Sequence, residues 1–340
     1  DSELEHVLVV GPSKKGALLE GSKDFSKEFM KRNKIPTAGY KTFNTETLEL
    51  GLKYLESNTP PFVLKADGPA AGKGVLILDN LEDAKKELIS MLKNNKFGSS
   101  GHRVVVEEFL DGIELSCFVL TDGKTYKILP NAKDYKRIGE GDTGLNTGGM
   151  GSISPVSFAS EEFLKKVEDR IIIPTVKGLH KENLPYKGFI FIGLIMVDND
   201  PYVIEYNVRM GDPETQVVLP RIKSDFLELM ARTANQTLNN FDLQIHKDTY
   251  ANIVMVAGGY PESYEKGNPI TGIPKDNETS KIFHAGTKEV DNKFFTNGGR
   301  VLSVVSKGSD FKQALSKSYE IAEKIDFKDK NYRKDIGFDL

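Results

Sequence analysis

The sequence is short of cysteine, of histidine, of uninterrupted apolar stretches and of any surplus of one charge. Its single cysteine, Cys117, has no partner within the chain. That excludes a scaffold stapled by internal disulfides, and with it a cysteine-rich zinc site. The five histidines are scattered without metal-ligand spacing. The longest apolar run, Phe189 to Val197, falls well short of the roughly 18 residues a membrane-spanning helix needs. The opening residues Asp1-Ser2-Glu3-Leu4-Glu5 are acidic where a secretory leader would be basic. Lysine plus arginine (46) nearly balances aspartate plus glutamate (49), for a net charge of −3. Neither nucleic acid nor a membrane surface is therefore an expected partner. The expectation is a cytoplasmic protein.

What is present is ordinary globular material. At 340 residues, with 39% hydrophobic and 28% charged, the chain suits about two or three packed domains. His6 to Val10 reads as a strand closing at Gly11-Pro12. A helix is expected from Ser22 to about Arg32, an edge strand over Ala38–Phe43, and a helix over Thr45–Leu55. Strands follow at Phe62–Lys65 and Gly74–Leu78, then a helix capped by Asn80, with Leu81, Ala84, Leu88 and Leu92 on one face. Arg103–Phe109 and Glu114–Thr121 flank Asp111-Gly112, a hairpin signal. Asn131 to Pro155 reads as one long polar loop. A helix over Glu161–Lys177, strands at Gly188–Val197 and Tyr202–Asn207, and short strands from Ala251 lead to a last helix over Asp310–Ile325. The mixture favours α+β lobes over one doubly wound sheet.

Four motifs carry chemistry. In Lys65-Ala66-Asp67-Gly68-Pro69-Ala70-Ala71-Gly72-Lys73-Gly74, small residues would let backbone N–H groups approach phosphate oxygens, with two lysines as countercharge. The spacing is not that of a Walker A loop, and an ordinary glycine-rich hairpin has the same composition. In Tyr202 to Arg209, alternation puts Glu205 and Asn207 on one face, an oxygen pair suited to Mg²⁺ shared with phosphates, with Arg209 beside it. A solvated strand face would alternate equally. Glu107-Glu108-Phe109-Leu110, with Glu114 beyond, offers a strand edge for an adenine and a carboxylate for ribose hydroxyls, though acidic hairpins are common. Asp134 to Gly151 combines Lys136 and Arg137 with six glycines, as either an anion-binding loop or a plain surface loop.

In this order the motifs resemble the phosphoribosylamine–glycine ligases (glycinamide ribonucleotide synthetases) of the ATP-grasp superfamily. The resemblance rests on Lys65–Val75, Asp134–Gly151, Val203–Pro220 and Phe283–Leu302. Shorter stretches support it at Leu19–Lys23, Pro185–Gly188, Gly259–Pro261 and Tyr332–Gly337. It spans nearly the whole chain, with Pro69 standing where the family usually has leucine.

The resemblance implies an ATP-grasp fold, two α+β lobes clasping ATP, with a C-terminal β-rich domain. It divides the chain into a remnant of an N-terminal substrate lobe (1–22), an ATP-grasp region with the small lobe (23–115), a large lobe (116–240) and a C-terminal domain (241–340). It assigns ATP binding to Lys23, Lys65, Gly68, Gly72, Lys73, Gly74, Glu107, Glu108, Phe109, Leu110 and Glu114. Glu205 and Asn207 would hold Mg²⁺ or Mn²⁺. Arg209, Asp212, Lys136 and Arg137 would face the reacting groups. Asp134, Asp142, Thr143, Gly144, Asn146, Thr147, Gly148, Gly149 and Met150, with Pro213, Glu214 and Thr215, would form the substrate loops. The partners implied are ATP, glycine and 5-phosphoribosylamine, joined through a glycyl phosphate, in a monomer or weak homodimer. The alternatives are another ATP-grasp carboxylate–amine ligase, or an ATP-binding fragment lacking turnover.

Overall fold

In the computed structural model residues 7–68, 74–94, 96–97 and 102–340 are described. Three antiparallel sheets organise them, each with helices on a face. The first has the strand order Tyr40–Asn44, Arg103–Glu107, Phe62–Ala66, Val75–Leu78. Helices Leu48–Glu56 and Leu81–Lys93 bury Phe43, Leu55, Leu64, Leu88, Val104 and Val106 against it. Asn80 caps the second helix by accepting from the backbone N–H of Glu82 at 2.8 Å, so its start is local chemistry.

The second sheet is built on the long strand Tyr186–Val197. One edge of that strand pairs with Ile113–Thr121, the other with Asp200–Asn207 and with Gly11–Pro12. Leu115, Cys117, Val119, Ile190, Ile192 and Leu194 share a core with Phe29, Met30, Phe163 and Ile171. There Cys117 packs as a small apolar residue, its thiol pushed up to about 12 by burial.

The third sheet runs Ser280–His284, Arg300–Gly308, Thr249–Val256, Gly151–Ser154, Lys133–Asp134, with helix Phe311–Lys324 against it. All strand pairings in the three sheets are antiparallel, as expected of α+β lobes rather than a doubly wound sheet.

Four local expectations need correction. Among the described residues the opening strand is confined to Gly11–Pro12, which pair with Lys187 and Tyr186; Val7, Leu8 and Val9 are exposed, and His6 lies outside the described residues. Asp111-Gly112 closes no hairpin, since its flanking strands belong to different sheets. There Gly112 lies so close to the main chain of Met196 that a Cβ would sit 2.2 Å from its carbonyl oxygen. The stretch Asn131–Pro155 is not one loop: it holds the strands Lys133–Asp134, Arg137–Gly139, Thr143–Asn146 and Gly151–Ser154. The helix expected over Glu161–Lys177 opens into a wider π turn at Glu168–Ile172 and resumes over Ile173–Lys181. Pro174, lacking an N–H, stands at that restart.

Candidate functional site

Strand alternation sends Phe62, Leu64 and Ala66 into the core beneath the small-lobe helices. It leaves Lys65, and Glu107 on the neighbouring strand, on the opposite face. Both are buried, with Lys65 Nζ 3.0 Å from Glu107 Oε2. Lys27 Nζ, from helix Lys23–Arg32, lies 2.9 Å from the same oxygen. Burial pushes the Lys27 ammonium down to about 8. Burial also pushes the Glu107 carboxyl up, but the Lys65 and Lys27 ammoniums outweigh it and hold the group below the usual carboxylate range. Its other oxygen, Oε1, is buried without a partner among the described residues.

The same helix begins at the mouth of the glycine-rich segment. Ser22 Oγ accepts from the Phe25 N–H at 3.1 Å and donates to Asp67 Oδ1 at 2.8 Å; the Asp24 N–H donates to that oxygen as well. Lys23 stands at this junction, where burial lowers its pKa against the pull of Glu205. Gly68 and Gly74 bracket the segment, whereas Gly72 and Lys73, with Pro69–Ala71, lie outside the described residues.

The central sheet supplies the facing wall. Its register sets Ser116, Gly193 and Glu205 side by side across three strands. Glu114 and Asn207 lie two residues along on the same face. Gly193, having no side chain, leaves the middle of this row open. Lys136 reaches across to place Nζ 2.6 Å from Glu114 Oε2. Asp134, aided by Glu114 and Glu205, raises the Lys136 pKa well above its ordinary value despite burial. Lys136 in turn holds Glu114 below its usual range, while burial raises Asp134. Glu214 accepts from Ser116 Oγ at 3.1 Å, and burial, reinforced by Asp134, pushes its carboxyl up to about 7. Arg209 donates to Asn207 Oδ1 at 3.1 Å and pairs with Glu20 at 3.3 Å.

A third wall comes from the C-terminal sheet. Arg300 Nη1 donates to the Gly148 carbonyl at 2.7 Å, and Nη2 to Asp212 Oδ2 at 2.8 Å. The Gly148 N–H donates to Tyr260 Oη at 2.9 Å. Gly149, at φ +115°, packs where a Cβ would meet Pro213 Cδ at 2.3 Å, so glycine is required there.

Lys23, Lys65, Glu107, Glu114, Asp134, Lys136, Glu205, Asn207 and Glu214 thus gather around one polar cleft. Glu108 is exposed beside them, its Oε2 accepting from the Gly39 N–H at 3.2 Å. The backbone groups of Phe109 and Leu110 have no partner among the described residues. Thr143, Gly144 and Asn146 sit on an exposed hairpin, and Arg137 is turned back onto the Gly144 carbonyl at 2.8 Å. Asp142 pairs with Arg333. Thr147 Oγ1 donates to the Lys136 carbonyl at 2.8 Å, and Thr215 Oγ1 to that of Gly211. Two side chains expected in the substrate loops are structural. Met150 is fully buried with Val254 and Val256, and Pro213 is buried with its carbonyl taken by Ser152 and Asn252.

Lys27 and Ser116 join this cluster although motif reading did not single them out. Lys27 is four residues past Lys23 on one helix face, and Ser116 two past Glu114 on one strand face. Those spacings were the available signal.

Among the described residues no group of three or more His, Cys, Asp or Glu is placed to hold a metal. The pair Glu205 and Asn207 offers one carboxylate and one amide oxygen from a single strand face. That donor set suits a hard cation completing its shell with water and phosphate oxygens.

Comparison with known proteins identifies the family. The model of the phosphoribosylglycinamide synthetase ATP-grasp (A) domain matches residues 21–215, and that of its C domain residues 250–339. The chain belongs to the phosphoribosylglycinamide synthetase family. Membership makes it an ATP-grasp enzyme of the ligase class that forms carbon–nitrogen bonds. Among members of the family, the chain is 45% identical to the phosphoribosylamine–glycine ligase of Fusobacterium nucleatum subsp. nucleatum, over 98% of this chain and 78% of that one. It is 48% identical to a bifunctional purine biosynthetic protein of Pichia angusta over 97% of its own length; it spans only 42% of that longer relative. The crystal structure of the phosphoribosylamine–glycine ligase from Thermotoga maritima superposes with a TM-score of 0.89 at 40% identity, covering 98% of this chain and 82% of that one.

Proposed function

We propose that the chain joins glycine to 5-phosphoribosylamine with ATP as co-substrate, giving glycinamide ribonucleotide, ADP and phosphate in purine biosynthesis. The observation that carries this is the family match over residues 21–215 and 250–339. Beside it, Ser116, Gly193 and Glu205 stand in register across the central sheet with Lys136 held on Glu114 next to them. Such a charged face suits a triphosphate and a second anionic substrate meeting at one point.

Glycine's carboxylate is a poor electrophile until it carries a leaving group. Its attack on the γ-phosphoryl gives glycyl phosphate and ADP; the ribosylamine nitrogen then attacks the acyl carbon and releases phosphate. Lys23 and Lys65 would hold phosphate oxygens. The unpartnered backbone of Phe109 and Leu110 would take the adenine edge, and Glu114 the ribose. Lys136 would orient the acyl oxygens, and Glu214, whose pKa of about 7 leaves a carboxylate at higher pH, would in that form accept the proton the amine loses. Glu205 and Asn207 would hold a divalent cation, which we take to be Mg²⁺ with Mn²⁺ as substitute; when bound it screens the phosphate charges. The enclosing walls would keep water from the acyl phosphate.

ADP release from the purified chain tests the reading. It should require ATP, glycine and phosphoribosylamine generated in the assay together. Release that persists without glycine or without the amine would overturn it.

A further inference from the structure

Arg333 is the largest fully buried side chain among the described residues, and it lies outside the cleft. Its guanidinium spends every edge on one task. Nε and Nη2 donate to Asp335 Oδ1 and Oδ2 at 2.8 and 2.7 Å. Nη1 donates to Asp142 Oδ1 at 2.5 Å and to the Arg137 carbonyl at 3.3 Å. Its flat faces meet the rings of Tyr135 and Phe338, with centroids 5.4 and 5.7 Å away. The residues around it extend the grip. Asp335 Oδ2 accepts from the Gly141 N–H at 2.7 Å; Asp339 accepts from Tyr135 Oη at 2.9 Å and pairs with Lys133 at 3.1 Å.

All these bonds have one target. They seize Lys133 and Tyr135 on one side of Lys136, then Arg137, Gly141 and Asp142 on the other. Residues 137–146 form a hairpin whose second strand is wholly exposed. Such a hairpin has little packing of its own to fix it. Lys136 leaves its base to reach Glu114, and Thr147 closes that base onto the Lys136 carbonyl. Among the described residues Lys23, Lys27, Lys65 and Glu107 make no hydrogen bond to the hairpin, so on the nucleotide side the link runs through Glu114 and Lys136.

We infer that the segment Arg333–Asp339 is a strap that fixes the hairpin Arg137–Asn146 and the Lys136 beneath it, with Arg333 as a positioning residue that acts through Lys136 and the Glu114 it holds. The inference rests on the proposed ligase reading for its substrate, but not for its geometry. Arginine is needed because its planar fork bonds a carboxylate side-on while still reaching a second carboxylate and a carbonyl; lysine keeps the charge and loses the fork.

The experiment uses the whole chain with R333K, D142N and the double variant. D142N removes the charge from a side chain that is itself half-exposed, and exchange in the strand Thr249–Val256 reads whether the fold holds. Each single change should lower kcat/KM for ATP and for phosphoribosylamine alike, about five- to tenfold, the size of one charge-assisted hydrogen bond, because Lys136 also holds Glu114. The double variant should be no worse than the worse single, because both cut one link. Amide exchange is read on the same proteins. It should quicken at Gly141–Asn146 in R333K and stay unchanged in the strand Thr249–Val256. Unchanged exchange in the hairpin overturns the strap whatever the activity. Quickened exchange with kcat/KM for both substrates unchanged overturns the positioning role. A wild-type chain without turnover counts against the ligase reading, while exchange still decides the strap.

Discussion

Arg300 meets Asp212 side-on, with Nη2 2.8 Å from Oδ2 and Nη1 3.3 Å from Oδ1, and the same Nη1 also holds the Gly148 carbonyl. One guanidinium thus ties the C-terminal sheet to the turn after Asn207 and to the loop above the cleft. The Asp212 side chain is 54% exposed, so the pair adds less than about 1 kcal/mol to stability. Its effect lies in geometry. Arg300→Ala should cut kcat/KM by about tenfold or more at nearly unchanged denaturation midpoint, and Arg300→Lys should restore only part of it. Steady-state kinetics beside urea titration checks this; a loss of stability matching the loss of rate would contradict it.

Glu107 separates two ammoniums that would otherwise face each other in a buried place. Glu107→Gln should destabilise the chain by about 3–5 kcal/mol, as breaking buried pairs does. Lys27, already brought down to about 8, binds fewer protons folded than unfolded between that value and its ordinary 10.5. Stability tied to Lys27 therefore rises with pH across that window. The variant should accordingly recover part of its deficit at pH 9.5 relative to pH 7, read from urea unfolding at both.

Glu214 titrates in the opposite sense. With its folded pKa raised to about 7, the native chain holds a proton that the unfolded chain has released. The associated stability is complete below the unfolded carboxylate range and is lost as pH climbs through about 7. Glu214→Gln stays neutral, so its stability relative to the parent should grow between pH 5 and pH 8 by up to about 3 kcal/mol. Paired denaturation curves at the two pH values test it, and a flat difference would exclude an ionising Glu214.

Glu205 is exposed and, among the described residues, in no ion pair. Glu205→Ala should therefore leave thermal stability within about 0.5 kcal/mol while turnover drops by at least about a hundredfold. Near-normal turnover in the variant would remove Glu205 from the metal assignment.

Local chemistry was the readable part of this chain. The Asn80 cap, the helical spacing of Leu81, Ala84, Leu88 and Leu92, and the alternation that puts Glu205 and Asn207 on one face all depend on neighbours within a few residues. Lys65 and Glu107 were visible as residue types. Their sharing of one carboxylate oxygen with Lys27 was not, because helix, strand and strand meet only in the folded lobe. Asp111-Gly112 carried a hairpin signature, yet its flanking strands found partners elsewhere. Turn propensity cannot register such competition. Met150 looked like part of a polar loop because its covering residues, Val254 and Val256, come about a hundred positions later. The Arg333 cluster was hidden for the same reason.

The third sheet takes two of its five strands, Lys133–Asp134 and Gly151–Ser154, from the middle of the chain. Tyr135 and Ile153 complete the core it shares with Leu302 and Ala314. Residues 250–339 are therefore not a cassette that can be excised, transplanted or expressed alone. Cut free, they would present the edge of Thr249–Val256 as an unpaired apolar strand, a template for association with other chains. Any insertion or duplication that moved this region without its upstream strands would carry along the means of its own aggregation.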